Sequence, residues 1–231
     1  MKDLGGADAI LNIKLIKGEN EITLLQSHYV EKVLSCFGYT DSKSSPTPYD
    51  PSLILRKDKR LGKDHLRYSQ IIGSLMYLAS ATRPDISFAV SKLSRFSSNP
   101  GDDHWRGIDR VLCYLKGTMS YGIHYLGYPS VLEGYSDSNW ITDADELKAT
   151  SGYIFKLGGG AISWRSCKQT ILTKSTMEVL AFFMPNWNRY SASAQNHRCS
   201  TSPWSIPGYR IFPQGSTMVI SIINQMITVL P

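Results

Sequence analysis

The sequence predicts an α+β chain with a strand pair, a helical region, a short antiparallel sheet and an irregular tail. Three observations support this order. Apolar and polar residues alternate in two stretches, apolar residues recur every three or four positions between those stretches, and residues 179–216 show little regular spacing. Helices that are segregated from antiparallel strands are typical of the α+β class.

Composition indicates a globular protein from a reducing compartment. The 231 residues, of which 42% are hydrophobic and 19% charged, exclude a wholly disordered chain and a collagen-like or coiled-coil composition. The four cysteines form no C-x-x-C pair, which favours thiols over a zinc site or a disulfide framework. Because no apolar run reaches about 18 residues, and none begins at Met1, we expect neither a membrane span nor a signal peptide.

The N-terminal part begins with a strand pair and a helix. Imperfect alternation predicts a strand over residues 9–17, and a turn leads to its hairpin partner over 21–25. Ser27 is placed to cap the next helix, whose apolar face is followed by Gly38 as a stop.

A long connection over residues 41–66 contains three prolines and a basic cluster. The cluster comprises Arg56, Lys57, Lys59 and Arg60. Such a cluster either meets a nucleic-acid phosphate backbone or is a solvated loop, and the sequence leaves both interpretations open.

Three helices are predicted next, each with an apolar stripe. The first spans residues 68–81, and the second spans 84–97, with Pro84 in its first turn and Asp85 behind it. The third spans residues 102–116 and begins with two aspartates. Acids at a helix start are favoured by the helix dipole, so we interpret this pair as structural rather than as metal ligands.

The apolar residues then recur at every second position, which predicts strands over residues 131–137, 150–157 and 161–165. Three glycines join the last two strands. They lack a following Lys-Ser/Thr pair, so they favour a hairpin turn over a phosphate cradle. A helix that starts at Ser175 follows, with Glu178 placed as in a capping box.

Asp137 is the candidate metal ligand of this region. A lone strand carboxylate is a weak signal. A three-stranded sheet followed by a helix that carries Glu178 can bring two carboxylates to one edge, where they could share a divalent cation.

Charge is unevenly distributed along the chain. Residues 1–130 carry 17 Lys and Arg against 13 Asp and Glu, whereas residues 131–178 carry 5 against 6. Residues 179–231 carry three Arg, five Pro and no acid. Acids make up roughly 12% of ordinary sequence, so such a stretch is expected on the order of once in a thousand windows. The character of the sequence therefore changes near residue 178.

Ten short motifs stand in one collinear order before that change. They are Met1-Lys2-Asp3-Leu4-Gly5, Gln26-Ser27-His28-Tyr29-Val30, Thr47-Pro48-Tyr49-Asp50, Ile72-Gly73-Ser74-Leu75-Met76-Tyr77-Leu78, Thr82-Arg83-Pro84-Asp85-Ile86, Tyr114-Leu115-Lys116-Gly117-Thr118, Tyr135-Ser136-Asp137, Thr150-Ser151-Gly152-Tyr153, Ile162-Ser163-Trp164 and Lys174-Ser175-Thr176-Met177-Glu178. Together they resemble Pol polyproteins of plant copia-type LTR retrotransposons. The resemblance covers 178 of the 231 residues.

The resemblance implies a domain organisation. Residues 1–126 resemble the end of a reverse-transcriptase palm followed by the thumb and connecting region. Residues 131–178 resemble the opening of an RNase H domain, and residues 179–231 are an unrelated tail, either frameshifted or disordered. A changed reading frame or a wrongly predicted exon near codon 178 would account for this tail.

The resemblance also implies a parent activity. In that family, reverse transcriptase copies RNA into DNA on a template-primer, and RNase H cuts the RNA strand of an RNA–DNA hybrid. Both use Mg²⁺ or Mn²⁺ held by carboxylates. Replication of copia-type elements starts in cytoplasmic particles, so the implied location is the cytoplasm, with the nucleus as an alternative. No membrane partner is implied.

Departures from the family pattern predict a chain without catalysis. The polymerase aspartates of the family lie upstream of its Lys-Asp-Leu-Gly segment, so no polymerisation is expected of this chain. Asp137 matches the first RNase H metal ligand, but the family's Glu-Ala-Glu is replaced: Glu178 matches its first Glu, and Leu180 stands at the metal-binding position. Two positions on a helix differ by about 200°, so Glu178 is a weak substitute. We therefore expect no bound Mg²⁺ or Mn²⁺.

Two alternatives remain open. The helical region and the basic cluster of Arg56, Lys57, Lys59 and Arg60 could form a nucleic-acid-binding module whose affinity depends on salt. A residual nuclease is the other alternative, in which Asp137 and Glu178 act with a ligand outside the family pattern, Asp143 or Asp145.

Overall fold

The computed structural model describes residues 8–57, 64–127, 131–139 and 150–169, with residues 137–139 as backbone only. The described residues form two compact units, the first up to Gly127 and the second from residue 131. In these ranges no helix is long and apolar enough to cross a membrane.

An antiparallel sheet lies in the first unit, in the order β1 (Ala9–Ile10), β2 (Ile13–Lys17), β3 (Glu21–Leu25) and β4 (Gly122–Leu126). The hairpin between β2 and β3 is confirmed, with Leu15 paired to Leu24.

The single strand predicted over residues 9–17 is wrong, because a turn divides it into β1 and β2. Leu11 and Asn12 have φ angles of 52° and 60°. Two successive left-handed residues make the tight turn of a two-residue hairpin. Asn tolerates this region, whereas a leucine there gives no sequence signal for a turn.

Helix α1 (Ser27–Phe37) ends as predicted, because Gly38 has φ 80° and its N–H donates to the Ser35 carbonyl. The predicted cap is wrong. Ser27 is the first helical residue, and Gln26 stands at the cap position without a side-chain capping bond. The Gln26 side chain is buried and instead accepts a hydrogen bond from the Thr82 hydroxyl at 2.7 Å.

Helix α2 (His65–Ala81) begins three residues before the predicted start, where the Asp64 carboxylate accepts the Arg67 backbone N–H. The next predicted helix is broken. A 3₁₀ turn (Pro84–Ile86) leads into a short α3 (Ser87–Leu93), and a second 3₁₀ turn (Ser94–Phe96) follows.

Serine hydroxyls account for the early end of α3. Ser94 Oγ donates to the Ser91 carbonyl, and Ser97 Oγ donates to the Ser94 carbonyl, at 2.9 Å each. Such local bonds compete with the backbone bonds of a regular helix.

Helix α4 (Asp102–Gly117) is confirmed one residue longer than predicted. The Gly101 N–H donates to His104 Nδ1 at 2.7 Å, which closes the start of the helix. The core of the first unit lies between α1, α2, α3 and α4. Its members with no more than 1% exposure are Val30, Tyr68, Ile71, Leu75, Leu78, Ile86, Val90, Ile108, Val111, Leu112, Tyr114 and Leu115.

The second unit contains β5 (Glu133–Asn139), β6 (Thr150–Leu157) and β7 (Gly160–Lys168), paired antiparallel in chain order. The hairpin turn between β6 and β7 is confirmed, since Gly158 and Gly159 have φ angles of 57° and 78°. The α+β class is thereby confirmed, while the assignment of its parts to palm, thumb and RNase H stays a prediction.

Candidate functional site

Asp137 lies in β5, near the end of the strand. In the register of the sheet it pairs with Gly152 of β6, which in turn pairs with Ser166 of β7. Neither partner carries a carboxylate. The register therefore leaves Asp137 as one acidic position in a row of small and polar residues.

The nearest described acid along the same strand is Glu133. Glu133 lies four positions before Asp137, and four positions span about 13 Å of backbone in a strand. Glu133 Oε2 accepts a hydrogen bond from the Tyr135 hydroxyl at 3.1 Å.

A two-metal centre needs several carboxylates around its ions. Within 8–57, 64–127, 131–139 and 150–169, no group of three or more His, Cys, Asp or Glu could hold a metal ion. Glu178, Asp143 and Asp145 lie outside the described residues.

The basic cluster is described in part. Arg56 and Lys57 are exposed, directly after the buried Leu55 that anchors this end of the connection to the core. Lys59 and Arg60 lie outside the described residues. The cluster therefore begins at a fixed point of the first unit.

Sequence reasoning missed a buried ion-pair cluster, which consists of Arg83, Asp85, Tyr114 and Thr118. Arg83 Nε lies 3.0 Å from one Asp85 oxygen, and Nη2 lies 2.7 Å from the other. Nη1 donates to the Thr118 carbonyl at 2.9 Å, and Nη2 donates to the Thr118 hydroxyl at 2.6 Å. The Tyr114 hydroxyl donates to Asp85 at 2.9 Å. These bonds join the start of the Pro84–Ile86 turn to the end of α4.

The Arg83–Asp85 ion pair in this cluster is buried. The Arg83 side chain is 1% exposed and that of Asp85 is 9% exposed. Burial acts to lower the pKa of Arg83, but the adjacent Asp85 carboxylate overrides it and raises that pKa. Burial and then the same carboxylate raise the pKa of Tyr114. Because these charges are buried, we interpret the cluster as stabilising the fold rather than as contacting a substrate.

The sequence motifs contain all four residues of this cluster. Arg83 and Asp85 stand in one of the ten motifs, and Tyr114 and Thr118 stand in another. The interpretation of Asp85 as a helix-dipole acid used its position in sequence alone. The bonds to Thr118 cross 35 residues and have no local signal.

Comparisons with known proteins place the chain among transposon proteins. It is 38% identical over 187 residues to the retrovirus-related Pol polyprotein from transposon TNT 1-94 of Nicotiana tabacum, which covers 77% of this chain and 14% of the polyprotein. It is 39% identical over 171 residues to the Pol polyprotein from transposon RE2 of Arabidopsis thaliana, which covers 73% of this chain and 12% of the polyprotein.

A shorter relative is matched over most of its own length. The secreted RxLR effector protein 161 of Plasmopara viticola is 45% identical over 112 residues, which cover 48% of this chain and 79% of that protein. No protein-family model matches the chain, and no solved structure matches it significantly. The chain thus spans about one seventh of the tobacco polyprotein and most of the oomycete relative.

Proposed function

The chain belongs to the family of retrovirus-related Pol polyproteins of copia-type transposons, and we propose that it is a Pol segment without catalysis of its own. In this proposal residues 1–126 correspond to the end of the reverse-transcriptase palm with its thumb and connecting region. Residues 131–178 correspond to the opening of an RNase H domain. The parent activities are RNA-directed DNA synthesis and cleavage of the RNA strand of a hybrid.

The arrangement of the second unit supports the RNase H assignment. Strands β5, β6 and β7 form an antiparallel meander, and Asp137 stands in its first strand. That is the strand position at which the family resemblance expects the first metal ligand. The first unit, with four helices after a hairpin, agrees with a thumb and connecting region.

One observation carries the absence of catalysis: Leu180 stands where the family has its second metal-binding carboxylate. Residues 179–231 contain no Asp or Glu that could replace it. Two-metal hydrolysis depends on carboxylates that hold both ions in line with the scissile phosphate. Asp137 cannot hold two ions alone, so no hybrid cleavage is expected.

Incubation of the purified chain with a labelled RNA–DNA hybrid and Mg²⁺ or Mn²⁺ tests this proposal. We expect the same trace of cleavage from the natural sequence and from Asp137→Ala, measured by product length on a gel. Asp103→Ala, an exposed acid at the start of α4, is the matched control. Metal-dependent cleavage that Asp137→Ala abolishes and Asp103→Ala retains would establish the residual nuclease instead.

Nucleic-acid binding is the second candidate function. The exposure of Arg56 and Lys57 beside the buried Leu55 favours it, because a basic cluster at a fixed point can track a phosphate backbone. The parent partners are a template-primer duplex or an RNA–DNA hybrid. Binding of this kind is weakly selective for sequence.

Anisotropy of a fluorescent duplex measures this binding. We expect affinity to fall steeply between about 50 and 200 mM salt, and the slope to shrink by up to about 0.9 per cation removed. The test variant replaces Arg56, Lys57, Lys59 and Arg60 with alanine. The matched control removes four exposed lysines elsewhere in the first unit, Lys14, Lys17, Lys32 and Lys43. Equal slopes for both variants would exclude the basic cluster as the binding surface.

A further inference from the structure

The connection after α1 is bound to the helices along its length. We call residues 39–55 the strap. The Tyr39 hydroxyl donates to the Asp109 carboxylate of α4, and the Ser45 N–H donates to the Cys113 carbonyl at 3.2 Å. Lys92 of α3 donates to the Tyr49 hydroxyl at 2.7 Å. The strap therefore runs across α3 and α4 with an irregular backbone, held by these polar contacts and by the packing of Tyr39, Tyr49 and Leu53 against the core.

Arg110 is the central anchor of the strap. Its Nε donates to the Thr47 carbonyl at 3.2 Å, and its Nη2 donates to the Thr47 hydroxyl at 2.8 Å. Its Nη1 lies 3.2 Å from Asp50 Oδ2, in a pair whose side chains are 31% and 36% exposed. One guanidinium therefore contacts both an alcohol and a carboxylate in a solvent-accessible place.

Thr47 is followed by Pro48. A hydroxyl residue directly before proline is the minimal sequence that proline-directed protein kinases modify, and proline keeps that residue in an extended conformation. Thr47 is half-buried and lies in irregular backbone, next to the exposed Pro46. Pro48 is buried, the Thr47 hydroxyl donates to the Tyr49 carbonyl at 3.1 Å, and the Tyr49 ring packs edge-on against Phe88. Modification therefore requires local release of residues 46–49, none of which stands in a helix or strand.

We propose that Thr47 is a phosphorylation site of a proline-directed kinase and that Arg110 receives the phosphate. The γ-phosphoryl group of ATP is transferred to Thr47 Oγ1, the hydroxyl proton is lost, and ADP leaves. The product carries a charge of about −1.5 to −2 and three acceptor oxygens beside a guanidinium that already contacts Oγ1. Arginine binds phosphate through parallel charge-assisted hydrogen bonds.

Asp50 can give up Arg110 with little loss. The Ser52 hydroxyl donates to Asp50 Oδ1 at 2.7 Å, and the Ser52 N–H donates to the same oxygen at 3.0 Å. These two bonds are the main cause of the lowered pKa of Asp50, and Arg110 contributes less. The carboxylate therefore keeps its principal partners when the guanidinium turns to a phosphate.

Ser45 is the neighbouring alternative, because Pro46 follows it. Its hydroxyl donates to the Thr47 carbonyl at 3.1 Å. Of these two hydroxyl residues that precede a proline, Thr47 is the one that a described positive group, Arg110, contacts. Both Thr47 and Ser45 have the required dipeptide, but only at Thr47 does the described structure place an arginine that can bind the phosphate.

Treatment of the full chain with a proline-directed kinase and ATP, followed by peptide mass spectrometry, tests the proposal. We expect phosphate on Thr47 in the natural chain and in Ser45→Ala, on the new serine in Thr47→Ser, and none at this position in Thr47→Ala. We also expect the phosphorylated chain to melt about 2–4 °C higher than the unmodified one. Arg110→Gln is expected to accept the phosphate without this increase.

Arg106→Gln is the matched control, since Arg106 lies one turn from Arg110 and its side chain is 70% exposed in a pair with Asp103. It should keep the increase in melting temperature. The proposal is overturned if Thr47 stays unmodified while Ser45 is phosphorylated, or if neither is. It is equally overturned if the phosphate leaves the melting temperature unchanged or lowers it, or if Arg110→Gln shows the same increase as the natural chain.

Discussion

Replacing Arg83 with methionine is expected to lower the free energy of unfolding of the first unit by about 3–5 kcal/mol. The substitution leaves the Asp85 carboxylate buried with the Tyr114 hydroxyl as its remaining hydrogen-bond donor in the cluster. It also removes both donors to Thr118 at the end of α4. Denaturant unfolding followed by circular dichroism measures the change.

Two further variants distinguish the effect of leaving a charge buried without its partner from the effect of replacing any arginine with methionine. Arg106→Met makes the same chemical change on an exposed residue, and there we expect a loss below about 0.5 kcal/mol. The double variant Arg83→Met/Asp85→Leu removes both charges, so it should be more stable than Arg83→Met alone. A single variant as stable as the natural chain would refute the role given to the cluster.

Replacing Gly122 with alanine is expected to destabilise the first unit by about 2–3 kcal/mol or more, because it separates β4 from β3. A Cβ at this position would lie 2.1 Å from the Leu24 carbonyl oxygen and 2.6 Å from Leu25 Cδ2. The nearer atom belongs to the backbone of the paired strand, so no rotamer change relieves the contact. Faster hydrogen exchange of the β3 and β4 amides would report the separation.

Gly73→Ala is the matched control for that substitution. Gly73 lies within α2, and a Cβ there would meet nothing within 4 Å. Alanine has the higher helix propensity, so we expect this variant to gain about 0.5–1 kcal/mol. A loss of stability in both variants, or in neither, would contradict the close approach of β3 and β4.

Local patterns predicted much of the fold. Helix α4 follows from apolar residues at helical spacing, and the end of α1 follows from Gly38, whose φ is positive. The β6–β7 hairpin follows from a glycine run between two alternating segments. In each case the deciding interaction lies within a few residues of the pattern.

The patterns missed a turn without a glycine signal and several contacts between residues that are distant in sequence. The turn at Leu11 and Asn12 lies inside a stretch with strand-like alternation and contains no glycine. The cap of α1 was misplaced because Gln26 turns inward to Thr82, 56 residues further along the chain. The strap was predicted as a connection only, since the bonds from Arg110 to Thr47 cross 63 residues.

Only part of the candidate site could be predicted from the sequence. Asp137 could be placed on a strand from its neighbours, and the structure puts it in β5. Its possible partners lie far along the chain, so only a family pattern names them. Arg56 and Lys57 were recognisable as a basic cluster, but their fixed position depends on the burial of Leu55 against the core.

The central claim is that the chain is a Pol segment whose RNase H metal-binding carboxylates are lost after residue 178. The most direct test is to sequence the gene and its transcript across codon 178 and to translate all three frames. We predict that one alternative frame continues the family pattern, with Glu-Ala-Glu in place of Glu178-Val179-Leu180 and with aspartates further on. A transcript that confirms the present frame, with no family pattern in either alternative frame, would contradict the account. The tail would then be a separate sequence joined to the Pol segment.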